Sequence, residues 1–398
     1  MPQARPPTFD DIAMEDGLAA WTALSQSVSD YWSGAFERGA TPVELARDYW
    51  RWIRVSSERG RPTWSTPHEI VFEAPIARLR DFSTAGSRAR IVPTLVLPPQ
   101  AGHDSCIVDY SPEQSQMRAI LNVGLTRAFT LDWIGATQQT RDARIDDYLD
   151  TIDLAIDHAG GRVNLVGDCQ GGWLATIYAA LRPERVNTLT IAGAPIDFHA
   201  GEPVIRAVME RMAPGGDLTA YRALVASGGG VLTGEQMLAG FILIKPDNEV
   251  ARQAQLMVNM HDPEHVSRYR EFEDWFKHTQ DIPGAFYLWI VEHLFRDNEL
   301  LRGKLRIDGQ GVDLAKIDCP LNLLAGASDH ITPPDQVFAL ADAASTPEAE
   351  VTRRITEGGH LGLFMGHEAL SEHWPPLLEQ VAKHSRPARA ARQPVKAL

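Results

Sequence analysis

The segment that most constrains this chain is Gly167-Asp168-Cys169-Gln170-Gly171, which follows the apolar run RVNLV and precedes the run GWLATIYAAL. The first run is typical of a buried strand and the second of a helix. At a sharp strand-to-helix turn, the positions two residues before and after the central residue must be very small to avoid collision. The pattern therefore predicts a nucleophile elbow that lifts the sulfur of Cys169 clear of a sheet. A buried structural cysteine is the competing interpretation, since free cysteine is often buried.

Strand-like and helix-like segments alternate around this motif. HEIVFEA and IARLRDF alternate apolar and polar residues, whereas TLVL, RAFTLDW, RVNLVG, NTLTIAG and PLNLLAG are short apolar runs. Such runs are typical of strands covered on both faces by helices such as RIDDYLDTIDLAIDHA. The alternation predicts an α/β fold with a mainly parallel sheet. From about residue 198 to 308 the pattern becomes mostly helical, which predicts a helical cap inserted between two sheet strands, over the catalytic edge.

These patterns divide the chain into five predicted parts. They are an N-terminal helical region (1–65), a first core part (66–197), the cap (198–310), a second core part (311–384) and a basic tail (385–398). The N-terminal region reads as two amphipathic helices broken at Gly39 to Pro42, and its bulky residues are expected to cover one face or edge of the main domain: Trp21, Tyr31, Trp32, Tyr49, Trp50 and Trp52. The tail is interpreted as disordered, with an anchor to an anionic surface as the alternative; its basic residues are Arg386, Arg389, Arg392 and Lys396.

Composition excludes several classes of function. A content of 44% hydrophobic and 23% charged residues is that of a soluble globular protein, and no apolar run approaches the ~20 residues that span a bilayer. The formal charge of −14 argues against nucleic acid as a partner. The first residues lack the apolar core of a secretory signal, so a cytoplasmic location is expected. Three cysteines are too few and odd in number for a disulfide framework.

A cysteine nucleophile needs a base and an acid that orients the base. In α/β-hydrolases these follow in the order nucleophile, acid, histidine. Asp329 follows the predicted strand PLNLLAG, and His360 follows the predicted strand EVTRRIT. We therefore predict a triad of Cys169, His360 and Asp329 at the carboxyl ends of three strands. His330 is the competing base, but adjacent residues such as Asp329 and His330 should point apart.

The remaining predicted site residues surround the elbow. The backbone N–H of Gln170 and, from the loop after TLVL, that of Gly102 are the expected oxyanion donors. His103 and Trp173 are candidates for substrate contact, although an ordinary turn with a surface histidine explains residues 102–103 equally well. A carboxylate beside the nucleophile would disfavour a thiolate, so Asp168 is expected to face away from the sulfur. Cys106 and Cys319 are interpreted as packing residues.

Other chemistries leave no motif in the sequence. It contains no P-loop, no G-x-G-x-x-G after a strand and no pair of C-x-x-C motifs. His261 and His265 have a ligand-like spacing, but Pro263 lies between them and no third ligand is evident. Neither a cofactor nor a metal is predicted.

Several blocks together resemble the superfamily of polyhydroxyalkanoate synthases and intracellular polyhydroxyalkanoate depolymerases, over about residues 90 to 380. They are LDWIGATQQTRDARIDDYLD, NLVGDCQGGW, IAGAPIDFHAG, FRDNELLRGKLRIDGQGVDL, LLAGASDHITPP and GGHLGLFMG. The resemblance implies an α/β-hydrolase fold in which Cys169 matches the family nucleophile, Asp329 the acid and His360 the base. NLVGDCQGG and SDHITPP are similar to the synthases, whereas PPQAGHDS, GAPIDFHAG and GGHLGLFMG with HWPPLLEQV are similar to the depolymerases. Asp168 departs from the residue usual before the cysteine in both groups.

The resemblance implies chemistry on 3-hydroxyacyl esters or coenzyme A thioesters through an acyl-thioester enzyme. The synthase pattern around the early loop, an Asn before a Tyr-Ile-Leu-Asp-Leu-like run, is absent, and this departure near the oxyanion loop favours hydrolysis of the polyester. The alternatives are a synthase that polymerises 3-hydroxyacyl-coenzyme A and a non-catalytic protein that binds polymer granules through its aromatic residues. A homodimer and association with polymer granules stay open.

Overall fold

A central sheet of eight strands organises the chain. The structure, a computed structural model, describes residues 9–84, 91–244 and 246–385. Of residues 9–20, 23, 246 and 247 it describes only the backbone. The strands of the described chain are β1 (Glu69–Glu73), β2 (Ala77–Asp81), β3 (Thr94–Leu97), β4 (Ala128–Trp133), β5 (Val163–Asp168), β6 (Val186–Ala192), β7 (Val231–Leu232), β8 (Ile282–Pro283), β9 (Arg306–Ile307), β10 (Gln310–Gly311), β11 (Leu321–Gly326) and β12 (Val351–Thr356). Each strand predicted from the sequence is present among them.

The helices are α1 (Phe9–Glu37), α2 (Pro42–Ser57), α3 (Gln116–Asn122), α4 (Ile145–Ala159), α5 (Gln170–Leu181), α6 (Val204–Met212), α7 (Thr219–Ser227), α8 (Gly234–Ile244), α9 (Pro246–Val258), α10 (Pro263–Phe276), α11 (Gly284–Trp289), α12 (Pro334–Ala343), α13 (Gly362–Met365) and α14 (Trp374–Ser385). Two π-helical segments, Ile290–Arg296 and Ala369–His373, extend α11 and precede α14.

The strand order of the sheet is β1-β2-β4-β3-β5-β6-β11-β12. β2 pairs antiparallel with β1 and with β4, and the pairs from β4 to β12 are all parallel. Parallel neighbours need crossover connections, which the intervening helices provide. This order is that of the α/β-hydrolase fold, so the predicted fold class is confirmed.

Both faces of the sheet are buried under helices. In β3, Leu95 and Leu97 join an apolar cluster with residues of α4 and α5, whereas Val96 joins a second cluster with residues of α3 and α14. Alternating side chains of one strand thus enter two cores. Each such fully buried side chain contributes roughly 1.5–3 kcal/mol to stability.

The chain between β6 and β11 is mostly helical, from α6 to α11, and β7 and β8 form a separate two-stranded ribbon within it. The ribbon of β9 and β10 follows before the chain returns to the sheet at β11. Helices of this insertion line the cavity above the carboxyl ends of the central strands. The five-part division of the chain, with its boundaries at 65, 197, 310 and 384, stays a prediction.

The break between the two N-terminal helices has a local cause. Gly39 adopts a φ of +64°, and Thr41 caps α2 by accepting a hydrogen bond from the backbone N–H of Glu44, whose side chain accepts one from the N–H of Thr41 in return. This capping box, with Pro42 as the first helical residue, fixes where α2 begins.

The N-terminal helices pack on the insertion rather than on the main domain. α1 and α2 both contact α9, and the indole of Trp52 donates a hydrogen bond to the carbonyl of Gln253. Tyr31 and Val55 are buried in this region. The expectation that the aromatic residues cover the main domain was therefore wrong. The neighbour of both helices is α9 of the insertion, and each helix buries only the side that faces that neighbour. Four of those six aromatic side chains remain at least 47% exposed: Trp21, Trp32, Tyr49 and Trp50.

Ion pairs reinforce this packing. The carboxylate of Glu273 in α10 is 1% exposed and lies 2.7 Å from the ammonium of Lys277, 3.3 Å from Arg252 of α9 and 3.7 Å from Arg59, just after α2. One buried carboxylate thus links the N-terminal helices with α9 and α10.

No helix in the described ranges is both long and apolar enough to cross a membrane. Ser385, the first residue of the predicted basic tail, is the last residue of α14, and residues 386–398 lie outside the described residues.

Candidate active site

The backbone of Cys169 is strained in the way that a nucleophile elbow requires. Cys169 follows β5 directly and precedes α5, with φ of 50° and ψ of −116°. A non-glycine residue in such a conformation costs about 1–3 kcal/mol. The strained turn is held by two backbone hydrogen bonds, from the Cys169 N–H to the Ala192 carbonyl and from the Gly172 N–H to the Cys169 carbonyl.

Three glycines make room for this turn. A Cβ atom on Gly167 would lie 2.5 Å from the Gly171 carbonyl oxygen, and one on Gly171 would lie 1.9 Å from the carbonyl oxygen of Leu97. A Cβ on Gly172 would lie 2.4 Å from the Cβ of Ala194. Because backbone atoms cannot move aside as a flexible side chain can, α5 and the strands beside it can approach this closely only with glycine at these positions.

The structure brings His360 and Asp329 together. The Nδ1 atom of His360 lies 2.7 Å from Oδ2 of Asp329, and both side chains are buried. The other carboxylate oxygen, Oδ1, accepts hydrogen bonds of 2.9 Å from the N–H groups of Ile331 and Thr332. Asp329 is therefore fixed in place by its own loop, and its second oxygen is directed at the imidazole.

Cys169 is the second partner of the imidazole. Burial alone would lower the pKa of His360, but the charges of Cys169 and Asp329, and hydrogen bonds with both, raise the pKa well above its ordinary value of 6.5. With Nδ1 occupied by Asp329, Nε2 is the ring nitrogen left to exchange a proton with the sulfur. The three predicted triad residues thus meet at one edge of the sheet.

The alternative base has a different environment. His330 lines the same cavity, but the histidine that bonds to Asp329 is His360. The backbone carbonyl of His330 accepts a hydrogen bond from the N–H of Val204, at the start of α6.

The other two cysteines differ from Cys169. Burial raises the pKa of Cys319 to about 12, and burial, with the negative charge of Asp104, raises the pKa of Cys106 well above its ordinary value. Neither thiol lines the cavity that Cys169 faces. Both are thiols at neutral pH in apolar surroundings, in keeping with packing residues.

The two predicted oxyanion donors have different positions. Gln170 is the first residue of α5 and lines the cavity beside Cys169, where the N-terminal N–H groups of the helix carry partial positive charge. Gly102 does not line the cavity; its carbonyl accepts a hydrogen bond from the N–H of Gln280, and a Cβ on it would meet Met237. Its neighbour Ala101 does line the cavity. A second oxyanion donor from this loop stays a prediction.

A cavity of about 990 Å³ extends from the triad into the insertion. Cys169 and His360 lie on its wall, and most of the remaining lining is apolar side chains of the helical insertion, among them Met209, Met237, Phe241, Ile282 and Ile290. A site of this kind favours an apolar chain over a charged ligand.

Both predicted substrate-contact residues line this cavity. The His103 ring stacks on Trp275 and Phe276, with centroids 4.9 and 5.3 Å apart, and burial lowers its pKa to about 4. Trp173 packs near Phe286 and is 3% exposed. His103 is therefore a buried, neutral member of an aromatic cluster and not the surface histidine of the alternative interpretation.

Asp168 faces away from the cavity, as expected. Its carboxylate is fully buried and accepts a hydrogen bond from Gln116 of α3. Motifs and their spacing could not reveal two features of this site. These are the apolar lining that the insertion contributes to the cavity and the burial of Asp168. Both depend on which helix covers each strand.

No group of three or more potential metal-ligating side chains occurs in the described parts of the chain. Nδ1 of His261, one of the two histidines with ligand-like spacing, lies 3.0 Å from the guanidinium of Arg38, just after α1.

Comparison with known proteins agrees with this geometry. A family model described as "Protein of unknown function (DUF3141)" matches residues 76–395. The chain is 28% identical over 330 residues to the poly(3-hydroxyalkanoate) polymerase subunit PhaC of Haloferax mediterranei, covering 80% of this chain and 64% of that protein. It is 28% identical over 278 residues to the subunit of the same name from Allochromatium vinosum, covering 68% and 75%. The predicted resemblance is therefore confirmed on its synthase side.

Among solved structures, the chain is similar to a carboxylesterase from Nitrososphaera gargenis, with a TM-score of 0.48, 15% identity and coverage of 80% of this chain and 99% of that chain. The fold assignment rests on the strand order and not on this likeness.

Proposed function

This chain belongs to the family described as protein of unknown function DUF3141, and from its site and its relatives we propose that it is an acyltransferase that uses Cys169 to act on 3-hydroxyacyl thioesters. The observation that carries the proposal is the position of His360 between the Asp329 carboxylate and the Cys169 sulfur. The chain spans 64% of the length of the Haloferax mediterranei protein. The activity of that whole protein is therefore proposed for this chain.

The first half-reaction follows from the triad. His360 takes the proton of the Cys169 thiol through Nε2, and Asp329 stabilises the resulting imidazolium. The thiolate attacks the carbonyl carbon of the substrate, and the oxyanion that forms accepts hydrogen bonds from the N–H of Gln170 and of Ala101. Collapse of the intermediate expels the coenzyme A thiolate, which takes the proton from His360. The acyl group is then attached to Cys169 as a thioester.

The second half-reaction decides the direction. When a hydroxyl group of a growing chain attacks the acyl-enzyme, His360 accepts the hydroxyl proton and an ester bond forms. The thioester bond to Cys169 breaks, the sulfur regains its proton from His360, and the polymer lengthens by one unit. When water attacks instead, a free hydroxy acid leaves. The names of the relatives support polymerisation, whereas the PPQAGHDS loop, which is similar to that of the depolymerases, favours hydrolysis. We place polymerisation first and keep hydrolysis as the second candidate.

The cavity supports an acyl substrate of either kind. Its apolar lining can hold the hydrocarbon part of a 3-hydroxyacyl group while the carbonyl lies at Cys169. Association of the protein with polymer is a separate expectation, and co-sedimentation with polymer granules measures it.

The test supplies purified protein with 3-hydroxyacyl-coenzyme A substrates of several chain lengths and, separately, with amorphous polyester. Release of free coenzyme A together with insoluble polymer is the expected result. Soluble hydroxy acids from either substrate would replace polymerisation with hydrolysis.

Two variants make this test specific. Cys169→Ala should abolish acyl transfer without unfolding the protein, whereas Cys319→Ala, which removes a thiol outside the cavity, should retain activity. Turnover by Cys169→Ala at the wild-type rate contradicts the proposal.

A further inference from the structure

The residue immediately before the nucleophile has an unusual environment. Asp168 ends β5 and is 0% exposed. Among the described residues its side chain has one hydrogen-bond partner, Gln116 of α3, which is likewise 0% exposed and whose Nε2 donates to Oδ1 at 3.2 Å. A fully buried carboxylate with a single side-chain donor is costly, because burial of a charge without compensation strongly favours its neutral form.

Asp168 and Gln116 each have a second polar atom that lacks a hydrogen-bond partner among the described residues. These atoms are Oδ2 of Asp168 and Oε1 of Gln116, and both are buried. Both are acceptors as long as Asp168 is ionised, so neither can satisfy the other. A proton on Oδ2 converts that oxygen into a donor and allows a second hydrogen bond within the same pair.

We propose that Asp168 is a neutral carboxylic acid that forms a two-bond ring with the amide of Gln116. In this ring the Oδ2 hydroxyl of Asp168 donates to Oε1 of Gln116, while Nε2 of Gln116 donates to Oδ1 of Asp168. Each of the four polar atoms then has a partner, in agreement with the rule that buried polar groups are hydrogen-bonded.

The surroundings of Asp168 agree with a neutral acid. Val166, two residues earlier and so on the same face of β5, belongs to an apolar cluster that contains Met117 and Phe364. Burial raises the pKa of Asp168 to about 8, opposed only by the hydrogen bond from Gln116, and no charged side chain of the described residues contributes.

The neutral acid has a consequence for the nucleophile, which rests on the proposed role of Cys169. An ionised Asp168 would place a negative charge one residue from the thiolate and disfavour it. Held neutral, Asp168 instead anchors the elbow to α3 without opposing the charge on the sulfur. Asp168 is in this sense a positioning residue that acts through Cys169.

The test is the pH dependence of unfolding in wild type and in Asp168→Asn. The variant side chain is neutral at every pH and can form the same two-bond ring with Gln116. In the wild type, the folded-state pKa lies above the unfolded one, so the stabilising contribution is complete below about pH 4 and is lost as pH rises toward 8. Between pH 5 and 8 the wild-type folding equilibrium constant should fall relative to that of Asp168→Asn, by up to about tenfold per pH unit.

Asp342→Asn is the matched control, since it removes an exposed carboxylate and should show no such slope. A pH-independent difference between wild type and Asp168→Asn would overturn the proposal. If Asp168→Asn fails to fold, infrared spectroscopy of wild type and Gln116→Leu replaces it. The wild type should show a protonated carboxyl band at pH 6.5 that Gln116→Leu shifts, and absence of that band would also overturn the proposal.

Alkylation of Cys169 by iodoacetamide separates this proposal from the proposed function. At pH 6.5 the rates for wild type and Asp168→Asn should agree within about twofold, because neither residue carries a charge. A rate at least about tenfold faster in the variant shows that Asp168 is ionised and contradicts the proposal. Slow alkylation in both, with the unfolding slope intact, would contradict the role of Cys169 alone.

Discussion

His360 and Asp329, which are 31 residues apart in the chain, are joined by a hydrogen bond of 2.7 Å between Nδ1 and Oδ2. The second oxygen of Asp329 is already held by the N–H groups of Ile331 and Thr332. The carboxylate therefore has little freedom to turn, and it fixes which imidazole nitrogen carries the proton when the ring is neutral. Nε2 is left as the acceptor for the proton of Cys169.

Asp329→Asn should lower kcat by about a hundred- to ten-thousand-fold. The amide can present its NH₂ group to Nδ1, which would place the ring proton on Nε2 and remove the base from Cys169. Steady-state kinetics with a 3-hydroxyacyl-coenzyme A substrate measure the effect, and Asp335→Asn, an exposed residue of α12, serves as the control. A loss of less than about threefold would mean that Asp329 does not orient the base.

Gly171→Ala should destabilise the protein by at least about 3 kcal/mol, because the new Cβ would meet the backbone carbonyl of Leu97. Urea unfolding followed by circular dichroism measures the change. Gly240→Ala is the control, since a Cβ at that position in α8 meets nothing within 4 Å. The same substitution there should stabilise the helix by about 0.5–1 kcal/mol. Equal stability of the two variants would contradict the close approach of α5 to β3.

Cys169 should react with iodoacetamide at pH 7.5 well before the other two thiols. Burial raises the pKa of Cys319 to about 12 and that of Cys106 above its ordinary value, so both remain protonated, whereas Cys169 opens into the cavity beside His360. Peptide mass spectrometry over a time course gives the three rates. Equal and slow rates would favour the polymer-binding protein without catalysis.

His103→Phe should make the unfolding free energy of the protein less sensitive to acid. The folded-state pKa of His103, about 4, lies below the unfolded value near 6.5, so its stabilising contribution is present above pH 6.5 and is lost as pH falls toward 4. Phenylalanine keeps the stacking on Trp275 and cannot be protonated. Between pH 6.5 and 4 the wild type should therefore lose up to about 3 kcal/mol of unfolding free energy relative to the variant.

The comparison uses unfolding curves at several pH values, with the exposed His367→Gln as reference. Parallel pH profiles for wild type and His103→Phe would show that the ring of His103 accepts a proton without cost and is not buried as the structure has it.

The sheet could be predicted from the sequence because its strands are short apolar runs bounded by turn residues. The elbow could be predicted because steric exclusion requires glycine at Gly167 and Gly171. The order of Cys169, Asp329 and His360 along the chain was sufficient to identify three residues that the fold brings together.

What could not be predicted depends on tertiary packing. The aromatic pattern of α1 and α2 indicates helices but not which side of each helix is covered. In α2, Val55 is buried in a cluster with Leu256 of α9, while Trp50 stays exposed. Whether the backbone N–H of Gly102 or that of Ala101 can face the cavity depends on the orientation of the loop backbone. Sequence spacing does not specify that orientation. The pairing of Asp168 with Gln116 joins two buried residues from distant segments, and neither is marked by a local motif.

The buried carboxylate of Glu273 gives the N-terminal helices a significance beyond their own length. Arg59, at the end of that region, is one of the cations that surround it in the described part of the chain, and another, Arg252, also lines the cavity. Deleting the first sixty or so residues would remove a counter-ion from a buried charge and uncover the outer side of α9 in the same step. The helices α1 and α2 therefore support the part of α9 that contributes to the outer wall of the cavity, and their removal is expected to weaken that wall.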